Sequence, residues 1–148
     1  MLTEQMQTLI RNFSAGAVAT ISADGRPSVS PKATFVILND RKIAFGNLRS
    51  PGTVANLRHN PAIEICFTDV ITRKAVRVTG NGQTIPRKKA SKELADAFET
   101  AWGDYVPQMS AFVVIDVTAA ELILSPAYDI GISEDDLKSS NLARLNAI

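Results

Sequence analysis

Apolar side chains recur along this chain with two periods. Near the start, Leu2, Met6, Leu9 and Ile10 repeat at the spacing of one helix face, with Thr3 placed to cap and Gln7 facing away. This predicts an amphipathic helix that ends before Gly16. The period then drops to that of a strand: GAVATIS, a tight turn on Asp24-Gly25, SVSPKATFVIL as one second strand, and the turn NDRK before KIAFGN. In PAIEICFTD, Ile63, Ile65 and Phe67 alternate with Glu64, Cys66 and Thr68; in KAVRVTGNGQTI, Val76 and Val78 alternate with Arg77 and Thr79. Helical spacing returns at Ala90, Leu94, Ala97, Phe98, Ala101 and Trp102, with Gly103 as the stop. SAFVVIDVTAAELIL is the last long strand, followed by a loop and a final helix capped at Ser133. The fold class expected is mainly β with α: six antiparallel strands in hairpin order, in a small closed or nearly closed barrel with flanking helices.

With 148 residues the chain is long enough for one domain, expected to span 1–148, and too short for a second of ordinary size. Sixteen Lys plus Arg against fifteen Asp plus Glu leave a net charge of +1, so neither a nucleic acid nor an anionic membrane is an expected partner. An anion bound here must be met locally. The single cysteine, Cys66, excludes an internal disulfide and a multi-cysteine metal site, which suits a reducing compartment and makes the cytoplasm the expected location. The lone His59 has no Cys or carboxylate cluster around it, so no metal site is expected. MLTEQMQTLIRN mixes acidic and amide residues with its apolar ones, unlike a signal peptide or a membrane span.

The candidate chemistry lies in FGNLRSPGTVANLRHNP, Phe45 to Pro61. As a helix start, Ser50 is the N-cap, Pro51 sits at the first helical position, and Gly52 and Thr53 fill the first turn. That start also presents backbone N–H groups beside Arg49 and two hydroxyls at the positive end of a helix dipole, a setting that suits phosphate. A structural cap and an anion cradle both satisfy this stretch. In SVSPKATF the strand period puts Ser28, Ser30, Lys32 and Thr34 on one polar face and Val29, Ala33 and Phe35 on the other. The polar face is either the solvent side of an edge strand, which Pro31 favours, or a ligand face. In the second case Lys32 and Arg49, brought together by pairing of neighbouring strands, would share one dianionic group.

AVATIS, DGRP, SPK, the GN that closes the third strand, and Thr53, Asn56, Leu57, Asn60 and Pro61 of the helix exit stand in an order that resembles the pyridoxamine 5'-phosphate oxidase-related, FMN-binding split-barrel family. The resemblance runs from about Ala15 to Gly80 and more weakly to Leu124. It implies a six-stranded split barrel that forms a homodimer, with FMN between subunits. Ser30, Pro31, Lys32 and Ala33 would then lie along the flavin and its phosphate, and Asn47, Leu48, Arg49, Ser50 and Thr53 along the phosphate and ribityl side. The function implied is an FMN-dependent oxidoreductase that uses reduced nicotinamide and a small organic acceptor, with no general acid or base nominated. A non-catalytic flavin or haem carrier, or a deazaflavin-dependent reductase of the same shape, is the alternative. The oxidases proper end in a basic tail that meets the substrate; SSNLARLNAI offers only Arg144, which speaks against that particular activity. Trp102 and Tyr105 are either core residues or a pocket wall reached from the partner subunit.

Overall fold

The computed structural model describes residues 1–148. Its elements are α1 (Glu4–Asn12), β1 (Gly16–Ile21), β2 (Pro27–Lys32), β3 (Phe35–Asn39), β4 (Lys42–Asn47), α2 (Pro51–His59), β5 (Ala62–Asp69), β6 (Lys74–Pro86), α3 (Lys92–Trp102), β7 (Ala111–Leu124) and α4 (Glu134–Asn146), with short 3-10 turns after β6, α3 and β7. Local chemistry explains most boundaries. Thr3, Ser91 and Ser133 each accept a backbone N–H from the first turn of α1, α3 and α4, and Gly25 makes the β1–β2 turn at φ +83°.

The strands form one antiparallel sheet in the order β2-β1-β5-β6-β7-β4-β3. It has seven strands rather than six, and it is not closed. The difference arises at Ala33-Thr34, where the stretch expected to be one strand breaks. Phe35 N–H turns back to Ala33 O at 2.9 Å, and the Thr34 hydroxyl donates to Gly46 O at 3.2 Å. The half before the break pairs with β1 and the half after it with β4, so adjacent residues lead to opposite edges of the sheet. The sheet must curl to let so short a link join its edges, and the seam between β2 and β3 is the split in the barrel.

Inside the curl lies the larger core, built on Phe45, Phe67, Ile65, Val76, Val78 and Ile115 and plugged by α1 through Met6, Leu9 and Ile10 and by α2 through Val54 and Leu57. A second core sits outside β4 and β7, where α3 lays Leu94 and Phe98 on Phe112 and Met109; the Phe98 and Phe112 rings stack at 4.2 Å. Burying each such side chain contributes roughly 1.5–3 kcal/mol, so the two cores fix β4 from both faces. Gly46 permits this, because a Cβ there would overlap the Met109 thioether. With β4 held, its exit toward α2 is held as well.

Candidate functional site

Of the nine expected site residues, six share a cleft at that exit, and Ser30, Asn47 and Thr53 do not line it. Pro31, Lys32 and Ala33 from the end of β2 and Leu48, Arg49 and Ser50 from the β4–α2 link line one cleft of about 190 Å³, with Thr34 and Gly46 between them. Lys32 and Arg49 do meet, but not by pairing of neighbouring strands: β2 pairs with β1 and β4 with β3 and β7. The break at Ala33-Thr34, hydrogen-bonded to Gly46 on both sides of Thr34, carries the end of β2 across to the end of β4.

The polar face of β2 turns inward. Ser28 and Ser30 stand opposite Thr20 and Val18 of β1, both buried, and Ser30 Oγ lies 3.5 Å from Thr53 Oγ1 on α2. Asn56 of α2 donates to Thr20 Oγ1 at 3.0 Å, so this helix is held to β1 and β2 through polar groups. Thr34 leaves the expected face at the break and is buried against Gly46. Val29, on the other face, is 66% exposed.

At the start of α2, the expected cap is not made. Ser50 occupies the N-cap position and is buried, yet its side chain makes no capping bond. Val54 N–H finds Ser50 O at 3.1 Å, and Pro51 has no N–H to satisfy; the amides of Gly52 and Thr53 find no acceptor in the protein. Around Gly52 there is open space, with nothing within 4 Å of where a Cβ would sit. Neither Lys32 nor Arg49 enters an ion pair. Partial burial holds the Lys32 ammonium below its ordinary pKa, as expected for a cation partly withdrawn from water without a countercharge.

Asn47 adds the opposite polarity. Its Nδ2 donates to Ser110 Oγ at 3.2 Å, while Oδ1 is buried and has no donor. Thr84 Oγ1 on β6 is likewise buried and unpartnered. No local signal in the sequence marks Ser110 or Thr84, because their approach depends on the pairing of β7 with β4 and β6. The cleft thus brings two unpaired cations to the start of α2, whose Gly52 and Thr53 amides have no acceptor in the protein, while Asn47 Oδ1 is buried behind it. A phosphate needs donors and positive charge, and the residues present fit one.

Of the other residues considered, His59 is exposed at the end of α2 and Cys66 is half-buried on the outward face of β5. Trp102 is half-buried and packs on the second core, its Nε1 donating to Phe35 O at 2.9 Å, whereas Tyr105 is 51% exposed. No group of His, Cys, Asp and Glu is placed to hold a metal ion, and no helix is long and apolar enough to cross a membrane.

One consequence of the half-buried Lys32 is measurable without any ligand. With its folded pKa lowered, the unfolded chain binds more protons between that pKa and 10.5, so Lys32 makes stability rise with pH through this window. Lys32→Met is expected to raise the Tm of the ligand-free protein at neutral pH and to remove that part of the alkaline rise, as calorimetry across the pH range will show. An unchanged profile would mean that the ammonium is not desolvated.

Comparison with curated proteins returned no match. Among solved structures, HupZ of Group A Streptococcus is 25% identical, with 84% of this chain and 96% of that one covered and a TM-score of 0.70. An FMN-binding protein from Syntrophomonas wolfei aligns over 79% of this chain and 82% of its own at 10% identity and a TM-score of 0.65, and an F420 reductase over 72% and 88% at 17% identity and 0.57. These last two likenesses are of fold. The family profile of pyridoxamine 5'-phosphate oxidase matches residues 2–125. That match spans every strand of the curled sheet and the whole of the β2–β4–α2 cleft, and the chain belongs to the pyridoxamine 5'-phosphate oxidase family.

Proposed function

We propose that the protein is an FMN-binding flavoprotein whose cleft at β2, β4 and α2 holds the phosphate and ribityl part of the cofactor. The observation that carries this reading is the uncapped start of α2, whose Gly52 and Thr53 amides have no acceptor in the protein, beside a cleft lined by unpaired Lys32 and Arg49. Lys32 and Arg49 neutralise the dianion, the amides and the hydroxyls of Ser50, Thr53 and Ser30 orient it, and Asn47, next to Leu48, stands on the ribityl side. Pro31, Ala33 and Leu48 supply apolar wall. When bound, FMN supplies hydride and electron transfer, and the protein supplies placement. The reaction proposed is oxidoreduction between reduced nicotinamide and a small organic acceptor, in the cytoplasm.

The outward side of β1 and β2 supports a homodimer as part of this proposal. There Pro27, Val29 and Pro31 stand beside Ile21, Ala19 and Ala17, and none of these belongs to either core. Neutral side chains on an outward sheet face next to the cleft suit a second copy, which would complete the flavin site. Val29→Lys is expected to give a folded monomer with weakened FMN binding. A monomeric parent that holds FMN at micromolar concentration in sedimentation would remove the dimer from the proposal.

A second reading has one support, the likeness to an F420 reductase: a deazaflavin also carries a phosphorylated polyol. The spectrum and mass of the released cofactor separate the two. FMN that bleaches anaerobically with NADH or NADPH is the expected result; bound FMN that neither nicotinamide reduces would make the protein a carrier, and release of no flavin of either kind would refute the reading.

A further inference from the structure

The last stretch of the chain is held to the fold differently from the rest. Of the 13 residues of α4, only Asn141 is buried and only Leu137 half-buried, and none belongs to either core. Leu142 and Leu145, with Ile148 just beyond, are exposed instead. The family match stops at residue 125, so α4 and the 3-10 turn Pro126–Tyr128 before it lie beyond that match. Apolar burial therefore does little to secure this segment. Polar contacts do.

Those contacts converge on the β5–β6 turn. The Asp69 carboxylate accepts from the amides of Ile71 and Thr72 at 2.8 and 3.1 Å, and Arg73, at φ +58°, returns its N–H to Asp69 O at 2.9 Å. With these amides satisfied from within, the turn presents three successive carbonyls to the C-terminal segment. Asn141 Nδ2 donates to Ile71 O at 2.9 Å, the Tyr128 hydroxyl to Thr72 O, and Ser125 N–H to Arg73 O at 3.0 Å. The Arg73 guanidinium donates to Asn141 Oδ1 at 3.4 Å, and Lys74 pairs with Glu134, its ammonium 5.8 Å from the centre of the Tyr128 ring. Held in this way, α4 forms one side of a groove of about 550 Å³ that Glu134, Asp135 and Lys138 line together with Glu4 and Thr8 of α1, and Lys74 lies in it.

We propose that residues 126–148 are a detachable strap, which leaves and returns as one unit while both cores stay intact, and whose departure opens the groove beside α1. Water can take over each carbonyl of the turn and each polar group of α4, so release exposes no core side chain and leaves no polar group unpaired. A helix of 13 residues is marginal on its own in water, so release also unwinds it. The ion pair between Lys74 and Glu134 makes release easier as salt rises. This inference does not depend on the flavin reading.

Native-state hydrogen exchange of the full chain, read by NMR, tests this without any variant. The α4 amides from Lys138 to Arg144 are expected to share one opening constant, at least about 100-fold above that of Phe45 and Val113 in the core. Raising sodium chloride from about 0.05 to 0.5 M should increase the α4 opening about threefold with little change in the core, and Lys74→Met should remove most of that response. Asn141→Ala takes away the one buried anchor. In that variant the α4 amides should lose nearly all protection while the core amides keep theirs. Lys74, whose side chain is 20% exposed in the parent, should then be acetylated by a water-soluble active ester at least about fivefold faster, with Lys42 on β4 unchanged as the control. Exchange in α4 as slow as in the core, an α4 opening that ignores salt, loss of core protection together with that of α4 in Asn141→Ala, or unchanged acetylation of Lys74 in that variant would each overturn the proposal.

Discussion

Arg49→Ala is expected to weaken FMN binding by about 10- to 100-fold and to leave riboflavin binding within about a factor of two. Charge-assisted hydrogen bonds contribute roughly 1.5–3 kcal/mol, and riboflavin lacks the phosphate that would make them. Lys32→Ala is expected to behave in the same way, although the variant also relieves the burial penalty on the ammonium. The two losses need not add, since both cations act on one anion. His59→Ala, at the exposed far end of α2, serves as the control and should change neither affinity. Titration of the cofactor-free protein by flavin fluorescence gives all of these values. Equal losses for FMN and riboflavin would place Arg49 and Lys32 against the ring rather than the phosphate.

Gly52→Ala separates a helix start from a cradle. In the protein alone the methyl group meets nothing within 4 Å, and alanine improves helix propensity by roughly 1 kcal/mol, so the ligand-free variant should melt at the same temperature or higher. That same methyl group occupies the space in which a phosphate must approach the Gly52 and Thr53 amides. FMN affinity should therefore fall about tenfold or more, with riboflavin much less affected. Stability and affinity moving in opposite directions on one preparation is the signature of a glycine kept for its ligand. Undiminished FMN affinity would return the junction to a plain helix start.

Much of this site was legible in the sequence because its parts are local. The Asp24-Gly25 turn, the helix start at Pro51 and the clustering of Asn47, Leu48, Arg49, Ser50 and Thr53 all follow from neighbouring residues, and the likeness of SPK and GN to one family supplied the order in which they come together. What was not legible depends on partners far away in the chain. The period of two along SVSPK divides two faces correctly but does not say which is inside; β1, the buried Thr20 and α2 decide that, and they make the polar face the inner one. The single strand expected over SVSPKATFVIL breaks because Thr34 bonds to Gly46 on β4, a contact that no propensity of Ala33 or Thr34 announces. Adding that break changes six strands to seven and closure to a seam. It also carries Lys32 to Arg49, so the feature that the pattern missed is the one that assembles the cleft. At Ser50 the residue type suits a cap, yet its buried side chain makes no capping bond, leaving the amides free.

The most direct test of the central claim is to follow the backbone amides of Gly52 and Thr53 by NMR while FMN, and separately riboflavin, is added to the ligand-free protein. If the phosphate sits on the start of α2, both amide protons shift strongly downfield with FMN, as donors do on meeting a charged acceptor, and shift little with riboflavin. If FMN binds while these two amides stay where they were, or if riboflavin moves them equally, the phosphate lies elsewhere and the account of this cleft is wrong.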